Sequence, residues 1–488
     1  MTERQWTLPA ALGLGRGPEL VAFVGGGGKT SLLFAMAVAL PGRVVITTTT
    51  RIFAAQMRLA PAVVYEDDLS PLGALLDAHG RCLVVGHVDG EKARGVAADL
   101  PARLLARPDV DAVLVEADGS RMRPVKAPAE HEPVIPPGTT LVVPVAGLDA
   151  LEGAIDEVAH RAEIVKRITN YEFGIRNEEG WVAGGGWRVA SGDQQLVNPE
   201  GRLTAAGLAR VLTHPEGGLK GVPEGARVVP FLNKVEGAER LARARTAARL
   251  MLREPRVDRV VIGAVRTAQP VGEVWRRVTA VVLAAGESRR MGRNKLLLPW
   301  GETTVLGQTL ANVGASAVYD VLVVTGHERQ QIEVVVGQPG QTRKENDSAD
   351  TVPHMVHNSD YANGMLASVQ AAVRALPPTT EAILVVLGDQ PMVEPQTIDR
   401  LLAAYAAAPA GFVAPTYGDR RGNPVLIARR HFAELLALPP DAAPRALLAH
   451  HAGDVLTVAV DSEAVLHDLD RPEEYERFRP VNMDIEHR

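Results

Sequence analysis

The stretch VVLAAGESRRMGRNKLLLP, Val281 to Pro299, decides the reading of the C-terminal part of this 488-residue chain. It opens as an apolar β-rich run, ends that run in Ala284 and Ala285, turns at Gly286 and carries two cations, Arg290 and Lys295, just beyond. Small residues let backbone amides approach a phosphate closely, and the cations neutralise the charge that builds on a leaving pyrophosphate. A lone AAG reads better as a glycine turn flanked by ordinary surface basic residues. Following a strand and preceding spaced cations, it reads as a nucleoside-triphosphate loop built from Leu283, Ala284, Ala285, Gly286 and Ser288, with Arg290 and Lys295 as catalytic cations.

Working outward from that loop, short β-rich runs alternate with Ala/Leu/Arg-rich helical stretches, the pattern of parallel α/β architecture. Downstream strands begin at Asp320, Ala382, Gly411, Pro424 and Asp454, and GQPGQTRKENDSADTVP from Gly337 reads as a solvated, mobile loop. Asp389 follows the apolar run AILVVLG, which places a carboxylate at the carboxyl end of a buried strand, where open α/β sheets bind ligands. A Mg²⁺ ion held by one or two carboxylates plus phosphate oxygens is the usual arrangement there. Asp468 and Asp470 occupy alternate positions of a short extended stretch and so face one side, although Asp470 also suits the cap of a helix starting at RPEEY.

Upstream, TAQPVGEVWRR reads as a linker, with Pro270 and a basic tail, so the expected domains are residues 1–270 and 278–488. The first opens with VAFVGGGGKTSLL, in which Gly25, Gly26, Gly27 and Gly28 lie between a strand and a helix and are followed by Lys29, Thr30 and Ser31. That order supplies amides to cradle phosphates, a lysine for the β and γ oxygens and a hydroxyl for Mg²⁺. The match to GxxxxGK[ST] is incomplete, because the first required glycine falls on Phe23, so the loop is shorter or differently shaped. Strands are expected at Leu20–Val24, Arg43–Thr47 and from Arg81, Asp111, Thr140, Arg227 and Asp258. Glu116 and Asp118 end a second apolar strand and suit a metal or water contact; FLNKVEG has the look of an NKxD base-reading element with Glu236 replacing Asp. TTTTR, from Thr47, offers hydroxyls for a γ-phosphate or is simply a good strand end.

Two resemblances follow from these motifs. LAAGxSxRMGxxKLLLP, with NSDYANGMLASVQAAV, VVLGDQPMV, RRGNPVLI and HDLDRPEEY, resembles the MobA-like nucleotidyltransferases, in the molybdenum cofactor cytidylyltransferase (MocA-like) branch, over residues 278–480. The resemblance implies a Rossmann-like, GT-A type fold, Asp470 as second metal ligand beside Asp389, nucleoside contacts from Gly364 and Ser368, and an acceptor side shaped by Asn423 and Pro424. For Ser368 the plain alternative is a solvated helix face. AAG rather than AGG is the cytidylyl-type version by resemblance. PPDAAPRALL from Pro439 departs from the family's GDxGAR stretch, keeping Arg445, so the acceptor-side loop is built differently. GGGGKTSL, TTTTRIF, EADGSR, KAPAEHEPVIP and FLNK together resemble the YqeC-like family, accessory to selenium-dependent molybdenum hydroxylases, over residues 8–265. Within AEHEPVIP, His131 and Glu132 line a cleft or sit in a turn.

The resemblances imply that CMP passes from CTP to the molybdopterin cofactor with release of pyrophosphate. Mg²⁺ is the expected metal, ATP or GTP the nucleotide of the N-terminal domain, and a molybdenum hydroxylase or its chaperone the protein partner. A phosphate monoester nucleophile is already ionised at neutral pH, so alignment and charge neutralisation suffice without a strong general base. His354, His357, His450 and His451 have no evident partners and read as structural or surface residues. The rivals are a guanylyltransferase, a sugar- or alditol-phosphate nucleotidyltransferase, and a nucleotide-gated cofactor chaperone.

Composition agrees with an ordinary globular chain: 46% hydrophobic and 23% charged residues argue against disordered or fibrous classes. A net charge of −6 offers no polybasic footprint for nucleic acid or anionic lipid. A single cysteine, Cys82, excludes an internal disulfide framework and fits a reducing compartment. No segment is apolar for long enough to span a bilayer and the start has no basic region leading into an apolar stretch, so a cytoplasmic protein is expected.

Overall fold

The computed structural model describes residues 6–15, 17–170, 196–198, 200–337, 353–408, 410–440, 442 and 444–480. The segment expected to be a mobile loop lies, after Gly337, outside these residues up to residue 352, as does the side chain of Arg445. Two compact units result, one ending at Val274 and the next starting at Trp275.

In the first unit the strands Val260–Gly263, Phe231–Asn233, Leu141–Gly147, Glu19–Gly25, Ala112–Glu116, Val44–Thr48, Arg81–Val85 and Val63–Tyr65 are neighbours in that order. Every pair along this series is parallel. The strands are nearly continuous apolar runs because both faces of such a sheet are covered; Leu20, Val21, Ala22 and Phe23 are fully buried. The helix Lys29–Ala39 buries Lys29, Leu32, Leu33, Met36 and Ala37. That spacing is one stripe of a helix, and it brings Lys29 inward at the first turn.

Two expected elements come out differently. The run RVVPFLN is two short strands, Arg227–Val228 and Phe231–Asn233, both beside Leu141–Gly147. Pro230, lying between them, has no N–H to give to a ladder. The expected linker contains a strand, Val271–Trp275, beside Val260–Gly263 at the sheet edge. Pro270 stands just before it, where a missing N–H is tolerated.

The second unit has a mixed sheet. His354–His357, Asp320–Thr325, Val278–Ala284 and Ala382–Leu387 are parallel in that order. Val425–Ala428 then runs antiparallel to Ala382–Leu387, Phe412–Tyr417 runs antiparallel to Val425–Ala428, and Val455–Ala459 is parallel to Phe412–Tyr417. The expected all-parallel alternation fails at this edge because Phe412–Tyr417 and Val425–Ala428 are joined by a hairpin through Arg420–Arg421, and a parallel pair needs a crossover. One core of this unit joins Val281, Leu322, Ile383, Phe412 and Leu435. No helix among the described residues is long and apolar enough to cross a membrane.

Cys82 is fully buried in the Arg81–Val85 strand, and burial pushes its thiol up to about 11. Reactivity belongs to the thiolate. Native protein at pH 8 should therefore show no reaction with an aromatic disulfide reagent over minutes, and one thiol per chain should react after unfolding in guanidinium; rapid labelling of native protein would contradict this placement.

Candidate nucleotide and metal sites

In the second unit the site is built at the carboxyl ends of two adjacent parallel strands, Val278–Ala284 and Ala382–Leu387. Asp389 follows the second strand and is 8% exposed. The amide of Leu469 donates to the Asp389 carbonyl at 3.2 Å, which pins the DLD stretch against it. Lys295 Nζ contacts Asp389 and also Asp470 Oδ1 at 2.6 Å, while an Arg290 Nη donates to Asp470 Oδ2 at 2.8 Å. Desolvation would lower the Lys295 ammonium, but Asp389 and Asp470 outweigh it and hold it above the ordinary lysine range. Desolvation likewise acts upward on Asp470, and Lys295 and Arg290 hold its carboxyl below the usual range.

Asp470 does not cap the following helix. The backbone amides of Asp470 and Arg471 both donate to Glu474 Oε2, at 2.8 and 2.9 Å, and Arg471 is the N-cap of Pro472–Phe478. The Asp470 carboxylate is thereby left to the cations. Asp468 joins the cluster: candidate ligand oxygens of Asp389, Asp468 and Asp470 lie within 4.8 Å of one another. Burial, followed by the charges of Asp389 and Asp470, pushes the Asp468 carboxyl up. Its alternate placement with Asp470 was the signal for it in the sequence. The neighbouring Gln390 carried none; it is buried, and among the described residues its Oε1 has no hydrogen-bond partner.

The loop residues divide by role. The carbonyls of Leu283 and Ala285 accept from the amides of Gly388 and His327, at 3.1 and 3.2 Å. Ala284 is buried, whereas Gly286 is exposed. Ser288 adopts φ 52°, in the left-handed region, and its hydroxyl accepts from the Lys295 amide at 3.2 Å, bracing the cation's backbone. Gly364 is exposed and starts the Met365–Ala375 helix at φ 96°, a conformation that favours glycine. Ser368 corrects the plain alternative of a solvated helix face. It is only 4% exposed, and its hydroxyl accepts from Asn358 Nδ2 at 3.0 Å, because it falls on the buried stripe of that helix with Leu366 and Val369.

In the first unit the glycine loop joins Glu19–Gly25 to Lys29–Ala39. Its amides are largely committed to the protein: Gly25 N donates to Asp118 at 3.1 Å, Gly26 N to Val145 O at 2.8 Å and Gly27 N to Arg123 O at 3.0 Å. The expected cradle of four glycine amides is therefore not offered in this arrangement. The tetraglycine is required by packing: a Cβ on Gly27 would lie 1.9 Å from Gly147 N. The helix ladder begins with Leu32 N on Gly28 O, so the amides of Lys29, Thr30 and Ser31 precede it, as at any helix start.

Lys29 is 3% exposed, with Nζ donating to Gly25 O at 2.6 Å and pairing with Asp118 Oδ1 at 3.2 Å. Thr30 Oγ1 donates to Glu116 Oε2 at 2.9 Å, and burial pushes the Glu116 carboxyl up. The alternation of charges continues outward: Asp118 Oδ2 meets Lys126 at 3.1 Å, and Lys126 meets Glu132 at 2.8 Å. Desolvation raises Glu132, yet Lys126 and Arg161 together keep its carboxyl below the ordinary range. His131 is exposed. Asn233 does not present a base-reading amide outward. It donates to Gly27 O at 2.8 Å and accepts from Val265 N at 3.0 Å, bracing the glycine loop.

Two stability outcomes follow. Asp118→Asn leaves Lys29 and Lys126 without their shared carboxylate and should cost about 3–5 kcal/mol in denaturant unfolding of the first unit. Gly27→Ala forces backbone out of contact at a positive φ and should cost on the order of 3 kcal/mol by the same measurement; wild-type stability in either variant would refute the packing described.

Comparison with known proteins matches residues 21–163 to the family described as YqeC protein, and residues 280–455 to the MobA-like NTP transferase domain. The chain is 32% identical to the uncharacterized protein YqeC of Escherichia coli over 47% of this chain and 80% of that one. It is 28% identical to the molybdenum cofactor cytidylyltransferase of Escherichia coli over 41% of this chain and 93% of that one. It is also 32% identical to the purine catabolism protein PucB of Bacillus subtilis, over 41% of this chain and 94% of that one. A parallel α/β unit and a nucleotidyltransferase-type unit, each with its own matching relatives, make this chain a member of the YqeC family fused to a MobA-like NTP transferase.

Proposed function

We propose that the second unit transfers CMP from CTP to the terminal phosphate of the molybdopterin cofactor, releasing pyrophosphate. The observation that carries the reading is the cluster in which Lys295 lies between Asp389 and Asp470, with Arg290 on the outer oxygen of Asp470. Likeness to a molybdenum cofactor cytidylyltransferase supports the choice of nucleotide and acceptor.

In the reaction a phosphate oxygen of the acceptor attacks the α-phosphorus of CTP, and the bond to the bridging oxygen of pyrophosphate breaks as the new P–O bond forms. An ionised acceptor needs no base, which fits a cluster made of cations and carboxylates. Leu283, Ala284, Ala285, Gly286 and Ser288 shape the loop against the triphosphate, and Gly364 marks the nucleoside side. Arg290 and Lys295 neutralise the departing pyrophosphate. The all-oxygen donor set of Asp389, Asp468 and Asp470 fits Mg²⁺, with Lys295 exchanging a carboxylate for phosphate oxygens when substrate arrives. When bound, the ion supplies positive charge to the phosphates undergoing transfer.

We assign the first unit nucleotide binding through Gly28, Lys29, Thr30 and Ser31, with ATP or GTP as ligand, in service of loading a molybdenum hydroxylase or its chaperone. Binding would require Lys29 to leave Asp118, since the ammonium is fully engaged in the described arrangement. The setting proposed is the reducing cytoplasm, supported by a buried free cysteine.

Pyrophosphate release by purified protein with Mg²⁺ and molybdenum cofactor should be confined to CTP among the four ribonucleoside triphosphates. Asp389→Asn and Lys295→Met should each lower kcat by about 10²–10³-fold. Release with GTP alone would reassign the base, and turnover unchanged by either substitution would remove the site. Lys29→Ala should abolish retention of ATP or GTP by the first unit while leaving CTP turnover intact; unchanged retention would refute the N-terminal assignment.

A further inference from the structure

Outside the carboxylate site, the second unit contains another group of side chains suited to an ion. His431, Glu434 and His451 offer ligand atoms that all lie within 4.8 Å of one another. No partner for His451 is evident from the sequence, because Glu434 reaches it from a different helix, Phe432–Ala437 against Arg445–His450. His451 Nε2 lies 2.7 Å from Glu434 Oε2, and His431 Nδ1 lies 3.9 Å from the same oxygen. The edges of a tetrahedral zinc site with bonds of about 2.0–2.1 Å are roughly 3.3 Å, so these separations bracket it.

The ring of His431 is oriented from behind. Its Nε2 lies 2.9 Å from Asp454 Oδ2, and Asp454 is itself held by the Gly411 amide at 2.8 Å and by Arg430 at 2.7 Å on Oδ1. A carboxylate so placed accepts the hydrogen bond from Nε2–H, which keeps the proton on Nε2 and leaves Nδ1 as a lone pair on the side of Glu434. Such a carboxylate–histidine pair is the usual support behind a metal-binding imidazole. Phe412 packs against His431 with centroids 4.4 Å apart, further fixing the ring. At Gly411 a Cβ would lie 2.0 Å from Asp454 Oδ2 and 2.3 Å from His431 Nε2, so the strand start must be glycine for the pair to form.

We propose that His431 Nδ1, Glu434 and His451 Nε2 bind a divalent transition-metal ion, zinc by ligand type, with Asp454 orienting His431. Two imidazoles and one carboxylate favour zinc or a neighbour in the first transition row over Mg²⁺, which prefers oxygen ligands. His431 is nearly buried, whereas Glu434 and His451 are partly exposed, so water completes the coordination from the open side. The ion ties the helix after the Val425–Ala428 strand to the segment that enters Val455–Ala459, and so braces the connection between them. This site is independent of the nucleotidyl-transfer reading, since it shares no residue with the Asp389 cluster.

The test is titration of the chelator-treated full chain with Co²⁺, followed by visible absorption, and with Zn²⁺, followed by calorimetry. The expected result is one equivalent of Co²⁺ with the intense visible bands of four- or five-coordinate nitrogen ligation, displaced by Zn²⁺ and retained in Asp389→Asn. His451→Gln and Glu434→Gln, both at partly exposed positions, should weaken binding at least about 10-fold while unfolding of the metal-free chain is unchanged. Absence of the bands in wild type, their loss in Asp389→Asn, or unchanged affinity in both His451→Gln and Glu434→Gln would overturn the proposal. Should either variant misfold, the wild-type Co²⁺ spectrum decides: only weak six-coordinate bands would overturn it as well.

Discussion

A lysine drawn out of water at the ends of parallel strands has to be neutralised, and both units of this chain, Lys29 buried and Lys295 half-buried, meet that constraint in the same way. In each, a lysine supplied from beyond the end of one strand meets an aspartate that stands two residues past the end of the adjacent parallel strand. Lys29 follows Glu19–Gly25 and meets Asp118 beyond Ala112–Glu116; Lys295 lies beyond Val278–Ala284 and meets Asp389 beyond Ala382–Leu387. Charges in such a place are tolerated only as pairs, because desolvation of an isolated ion costs several kcal/mol or more. The pairing therefore sets where the loops lie and how the neighbouring strands must end.

The two solutions differ in what they leave accessible. At Lys29 the pair is sealed by the backbone: the carbonyl of Gly25 and the carboxylate of Asp118 both hold the ammonium, and three glycine amides are turned to protein acceptors. At Lys295 the pair opens to solvent through Asp470 and the largely exposed Arg290. The second arrangement is suited to admitting phosphates directly. The first needs a rearrangement of Asp118 before phosphate oxygens can replace it.

Much of the fold was legible in the chain. Apolar runs marked the parallel strands because both faces of those strands are covered. The antiparallel edge was not legible, since Val425–Ala428 and Phe412–Tyr417 carry the same apolar pattern as their parallel neighbours and differ only in the hairpin that joins them. The strand Val271–Trp275 was hidden behind Pro270, whose effect on a central strand is disruptive but whose effect at an edge is not. For the site, Arg290, Lys295, Asp389 and Asp470 were identified from residue type and spacing, and the structure brings them into contact. The inward bracing by Ser368 and Asn233 was not legible, because hydroxyl and amide groups serve it as readily as ligand binding, and spacing does not separate the two.

What the sequence determined by itself is the alternation of strands and helices in its main elements, the two loops of small residues and the family membership of each half, because these rest on local pattern. Only the tertiary structure decided which charges meet: Lys29 with Asp118, Lys295 with both Asp389 and Asp470, and His431 with Glu434, His451 and Asp454. The partners are separated by 3 to 175 residues along the chain, and what joins the distant ones is strand register and helix packing, which fix distances that no local spacing encodes.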